Sequence, residues 1–168
     1  LGMSSSAFII NTPQLAERLS VGYSRRRILD EETGEETGIE ITAEQATREH
    51  FGRGYKVPNG GIYSTVLDLA KFAAAMMGES PVAILSDESR ADMFVPQAPA
   101  EGYGLGFTIR THPDGTTTVG HGGSVAGYNA GLSFELDSKI GVAMLRTTSY
   151  NPPIESLLRR LVTQAASE

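Results

Sequence analysis

The chain has 168 residues, of which 40% are hydrophobic and 20% charged; it carries a net charge of −6 and contains no cysteine. That length suits one sizeable core rather than two domains, and the balance is that of a globular protein, neither disordered nor fibrous. Disulfides, thiol catalysis and cysteine-based zinc sites are excluded, no apolar stretch approaches the ~20 residues of a membrane helix, and the acidic balance argues against nucleic acid as a partner.

Leu1-Gly2-Met3 opens without a basic or apolar export segment, so no signal peptide is visible. The first predicted element is a short helix. Thr12 is its cap, Pro13 suits the first helical position, and Leu15, Ala16 and Leu19 share a face. Strand-like pieces follow around Arg27-Ile28-Leu29 and Ile39-Glu40-Ile41. The acidic run Glu31 to Gly38 between them reads as a solvated hairpin tip. A glycine-rich segment (Gly54, Pro58, Gly60, Gly61) then leads into the clearest helix in the chain. Thr65 with Asp68 resembles a capping box, Val66, Leu69, Ala70, Ala73, Met76 and Met77 recur at helical spacing, and Gly78 ends the run. A shorter helix is expected from Asp87 to Phe94, capped by Ser86 and closed by Pro96.

From Tyr103 the apolar period becomes two, with Leu105, Phe107 and Ile109 alternating before the turn signal Pro113-Asp114-Gly115. Further strands are expected at Thr116–Gly120, Tyr128–Leu136 and Ile140–Thr147. Connections this tight require antiparallel neighbours, because parallel ones need a long crossover. Pro152 and Pro153 open a closing helix whose apolar face (Ile154, Leu157, Leu158, Leu161, Val162) would cover one side of the meander. The expected fold class is therefore α+β, an antiparallel meander packed with a C-terminal helix after an N-terminal helical segment.

Between the second and third strands lies Gly120-His121-Gly122-Gly123-Ser124. A histidine followed by two glycines permits close backbone approach to a bound molecule, and it reads here as a tight turn carrying chemistry. His50, His112 and His121 show no metal-ligand spacing, so no metal and no cofactor is expected. His50 and His112 read as surface residues, Tyr128 as a half-buried strand aromatic, and Tyr63 as packing.

Several segments resemble one family. Gly60-Gly61-Ile62-Tyr63-Ser64-Thr65 with Asp68-Leu69-Ala70-Lys71-Phe72 is similar to the GGxxST…DLAxF segment of the serine β-lactamase superfamily. The nearest branch holds class C β-lactamases, D-aminopeptidases, D-Ala-D-Ala peptidases and related esterases. Tyr103-Gly104-Leu105-Gly106-Phe107 resembles the strand before that family's third motif. His121-Gly122-Gly123 resembles the motif itself, in the His-x-Gly form of the esterase and peptidase branch, and Leu1-Gly2-Met3 with Phe8 resembles the stretch after the second motif. The resemblance implies a β-lactamase/transpeptidase-like fold, with residues 1–168 as the C-terminal part of a single domain: 1–100 helical and loop, 101–168 sheet and closing helix.

It also implies what should be elsewhere. The family's nucleophile lies in Ser-x-x-Lys and its second motif is Tyr-x-Asn; neither pattern occurs in this sequence. Ser64 has Leu67 where a lysine is needed, and Ser124 is not in a Gly-x-Ser-x-Gly elbow. By resemblance, His121 and the Ser124 amide are the catalytic candidates, the latter as an oxyanion donor, while Gly122 and Gly123 line the substrate side. The function implied is hydrolysis of an amide or ester, with the serine supplied by an N-terminal remainder; a non-catalytic binding or regulatory module of the same fold is the alternative. A small-molecule or peptide acyl substrate and self-association through exposed strand edges are the expected partners.

Overall fold

The computed structural model describes residues 1–44, 57–125, 127–149, 152 and 154–166, so His50 lies outside the described residues. The N-terminal half holds α1 (Pro13–Glu17), the hairpin β1 (Gly22–Leu29) and β2 (Glu36–Glu44), α2 (Val66–Met77) and α3 (Asp87–Met93). The rest is β3 (Thr108–Thr111), β4 (Thr117–Val125), β5 (Tyr128–Glu135), β6 (Gly141–Arg146) and α4 (Glu155–Ala166). Strands β3-β4-β5-β6 form an antiparallel sheet in chain order, and β1-β2 a separate two-stranded one. No helix among the described residues is long and apolar enough to cross a membrane.

The helices start and stop where their caps require. Thr12, Thr65 and Ser86 each accept a hydrogen bond from the third residue onward, and Gly78 closes α2 in the left-handed region (φ 84°) that glycine adopts at no steric cost. Only half of the expected capping box forms. Asp68 does not reach back into its own first turn; its carboxylate accepts from the Ser5 N–H at 2.8 Å, the Ser6 hydroxyl at 2.9 Å and Lys71 at 2.9 Å. The Lys71 ammonium foremost, with the Ser5 and Ser6 donors, holds that carboxyl below the ordinary aspartate range. Lys71 also donates to the Gly2 carbonyl at 2.6 Å, so α2 anchors the start of the chain.

The core lies between α2 and one face of the sheet. Ala73, Met76 and Met77 meet Phe107, Val119, Leu132 and Phe134, with Phe72, Phe94 and Ala143 packed around them. Phe107 contacts Phe94 and Phe134 edge-on at 5.5 and 5.9 Å. The opposite face takes α4, whose Leu158 and Val162 are buried together with Ile154 just before it. Gly131 permits this close seat, because a Cβ there would run into Leu158 and Ile154. The sheet is thus a middle layer with helices on both sides.

Two strands differ from expectation. The alternation from Tyr103 is not strand until Thr108, because Gly106 turns the chain (φ 86°) and the Gly104 N–H closes onto the Phe107 carbonyl at 2.8 Å. β4, by contrast, does not stop at Gly120 but continues through Val125. Glu135, at the end of β5, is buried yet charged: burial pushes its carboxyl up, but donors from Ser138, Asp137 and Leu136 more than offset this.

Candidate active site

The extension of β4 changes the character of the His-Gly-Gly segment. It is strand, not turn; His121, Gly122, Gly123, Ser124 and Val125 pair with Leu132, Gly131, Ala130, Asn129 and Tyr128 of β5. The reversal occurs one step later, at Gly127 (φ 80°). Turn geometry is therefore not the reason for the glycines at 122 and 123. A Cβ on Gly122 would collide with the Glu155 carboxylate of α4, whereas one on Gly123 would meet nothing within 4 Å. Gly122 is small because protein lies behind it. Gly123 is small in front of open space.

Strand β3 covers only the first part of β4, pairing Thr108 to Thr111 with Gly120 to Thr117. Among the described residues no strand lies beside His121–Val125 on the side away from β5. Ladder alternation decides which backbone groups this bares. The His112 N–H donates to the Thr116 carbonyl at 2.8 Å, so Thr116 and every second residue after it (Thr118, Gly120, Gly122, Ser124) direct N–H and C=O toward the β3 side. The far end agrees: the Glu135 N–H donates to the Ile140 carbonyl at 2.8 Å, which turns the even-numbered residues of β5 toward β4 and their partners His121, Gly123 and Val125 toward β5. Gly122 and Ser124 thus present amides and carbonyls at an uncovered edge.

Alternation also sorts the side chains. His121 lies on the α2 face with Val119 and is exposed, its ring edge-on to Tyr103 at 6.0 Å. Tyr103 is brought there by a knotted loop in which Gln97 N–H donates to its carbonyl at 2.8 Å and Ile109 N–H to Gly102 at 2.7 Å. The Ser124 hydroxyl accepts from the Asn129 amide at 3.1 Å and is a poor candidate for a nucleophile, having no basic partner among the described residues. Asn129 is held in turn by Arg146 at 3.1 Å. Tyr128 is a packing residue: its ring covers Gly22 and its hydroxyl donates to the Ser20 carbonyl at 2.6 Å. Burial first, then the charge of Glu44, pushes its phenol up. Tyr63 bridges to Ala7 and is likewise raised, by burial and by Tyr128. Ser64 hydrogen-bonds Ser6 at 2.8 Å, as part of the Asp68 anchor. His112 shares a 2.9 Å bond with the Thr118 hydroxyl and is half-buried rather than free on the surface.

A family model described as Beta-lactamase matches residues 1–167. The chain belongs to the β-lactamase family. It is similar to the octameric penicillin-binding protein homologue from Pyrococcus abyssi, at 30% identity and a TM-score of 0.69, covering 98% of this chain and 34% of that one. It also shares its fold with a D-stereospecific amidohydrolase from Streptomyces sp., at 18% identity and a TM-score of 0.50, over 78% of this chain and 35% of that one. No curated protein matched. The chain thus spans about a third of the length of these two structures. The meander with flanking helices is the β-lactamase/transpeptidase-like arrangement.

Sequence reading missed two residues of this β-lactamase-family chain. Tyr103 carried a signal, an aromatic set between Gly102 and Gly104, but read as the start of a strand. Glu155 carried none, since an acidic residue in the first turn of a helix is ordinary.

Proposed function

We propose that this chain forms the third-motif wall of a serine hydrolase acting on an amide or ester, with the nucleophilic serine and its base supplied by polypeptide outside these residues. The observation that carries the reading is the bare edge of β4. Gly122 and Ser124 aim backbone groups outward there, and Gly123 leaves room for a substrate to come against the strand. In the reaction, a serine Oγ attacks the acyl carbonyl and yields its proton to a base, and the carbonyl oxygen becomes an oxyanion. The Ser124 N–H donates to that oxyanion. Collapse expels the amine or alcohol, which takes up the proton, and water later releases the acyl group. His121, beside Tyr103, faces the reacting centre and engages a substrate carboxylate or the tyrosine of the second motif. A histidine at this position favours peptidase or esterase work over penicillin hydrolysis.

The test is to express the natural reading frame and treat it with a fluorophosphonate or penicillin probe. A covalent adduct on a serine followed three residues later by lysine is expected. No adduct on any serine overturns the proposal and favours the second reading, a binding module, which the missing Ser-x-x-Lys motivates.

A further inference from the structure

Behind the bare edge, on the opposite face of the sheet, the side chain of Glu155 lies against Gly122. Its Oε1, Cγ and Cδ occupy the space that a Cβ at position 122 would need. Its Oε2 is buried and has no hydrogen-bond partner among the described residues. Glu155 opens α4, where a carboxylate gains from the helix dipole by turning to its own free amides. It turns to β4 instead. The two residues line a small cleft of about 30 Å³ together with His121, Arg110, Arg159 and Thr118. Arg159 is pushed down by burial and then by the charge of Arg110, with Glu155 acting in the opposite sense. A buried carboxylate oxygen left without a donor is costly, and the same volume filled by an apolar side chain would avoid that cost. A purely structural contact does not account for it.

We propose that Glu155 is a positioning residue for the His121–Ser124 edge: it sets the height of β4 through contact with Gly122. The proposal rests on reading this edge as the site wall, but its test needs no turnover.

The experiment follows the Gly122 and Ser124 amides by NMR in the 168-residue chain. Glu155→Gln keeps the shape and removes the charge. It should shift both amide resonances, because the carboxylate lies against Gly122. Neutralising Glu88 on α3 should leave both amide resonances in place. In parallel, Gly122→Ala should lower the melting temperature, and adding Glu155→Ala should recover most of the loss, because the new methyl enters the vacated space. Gly122 and Ser124 amide resonances unmoved by Glu155→Gln, or a double variant no more stable than Gly122→Ala, overturn the proposal. An inactive parent protein leaves both readouts intact.

Discussion

Ser124 separates a side chain from a backbone role more sharply than any other residue here. Among the described residues its hydroxyl bonds Asn129 and, at 3.4 Å, the Tyr128 carbonyl, so Ser124→Ala in the complete enzyme should leave turnover within a few-fold. Ser124→Pro deletes the N–H and should slow acylation by roughly 10²–10³, the cost of one oxyanion donor. Because that N–H points away from β5, proline is tolerated there as on an edge strand. Gly123→Pro instead removes a ladder bond to β5 and should lower the melting temperature markedly. Steady-state kinetics and thermal melts of the three variants check this, and equal melting losses for both prolines would contradict the assigned ladder. The same residues mark where sequence reasoning stopped. His121-Gly122-Gly123 stands out in the sequence as a candidate because the residue types are unusual together. Its being strand was not legible, because two glycines mimic a turn when the reason for one of them, Glu155, sits 33 positions later in the chain. Tyr103 was hidden likewise, since its approach to His121 depends on the loop from Gln97 and not on local pattern.

Elements were more readable than sites, because their determinants are local. The caps Thr12, Thr65 and Ser86 and the stop at Gly78 fall where their chemistry predicts; of the five residues expected on the closing helix's apolar face, Ile154, Leu158 and Val162 are buried while Leu157 is half-buried and Leu161 exposed. Tertiary preference overrode local pattern at Asp68, whose carboxylate left the helix terminus for Ser5 and Ser6. A lowered carboxyl stabilises the fold fully above the unfolded aspartate value, near 3.8, and that contribution fades as pH falls below it toward the folded value. Melts between pH 6 and 3 should therefore show a steeper acid loss for the wild type than for Asp68→Asn, which starts less stable and lacks this titration. Parallel curves would rule the anchor out as a source of acid sensitivity. In the core, Phe134 is fully buried and touches the rings of Phe94 and Phe107. Phe134→Ala should cost about 3–5 kcal/mol in chemical denaturation; under 1 kcal/mol would mean that α2 and the sheet are not packed as described.

At the scale of the molecule, the β1-β2 hairpin, tied to the rest at Tyr23 by hydrogen bonds to Thr147 and Ser149, is poorly covered among the described residues. Its pairing puts Ile41 opposite Arg25 and Ile39 opposite Arg27 on one face with Tyr23, and Ile28, Leu29, Ile39 and Ile41 are all at least 44% exposed. Charge is sorted across the ribbon, with arginines on β1 and Glu36 and Glu40 on β2, bridged loosely by Arg26–Glu40 at 3.4 Å and Arg27–Glu36 at 3.8 Å. Such exposed pairs contribute little, so they do not explain why four aliphatic residues face water. Long unpaired edges and an apolar face are what a sheet buries by association. We therefore expect the chain to self-associate through this ribbon. Homotypic edge pairing sets arginine against arginine or glutamate against glutamate, which disfavours it, so burial of the apolar faces should dominate. Raising salt should then strengthen rather than dissolve the assembly. Sedimentation at increasing concentration should show mass rising above the monomer, and Ile39→Lys with Ile41→Lys should return it to monomer without lowering the melting temperature of the α2–sheet core. A wild-type chain that stays monomeric at high concentration and high salt would exclude this ribbon as an assembly surface between copies.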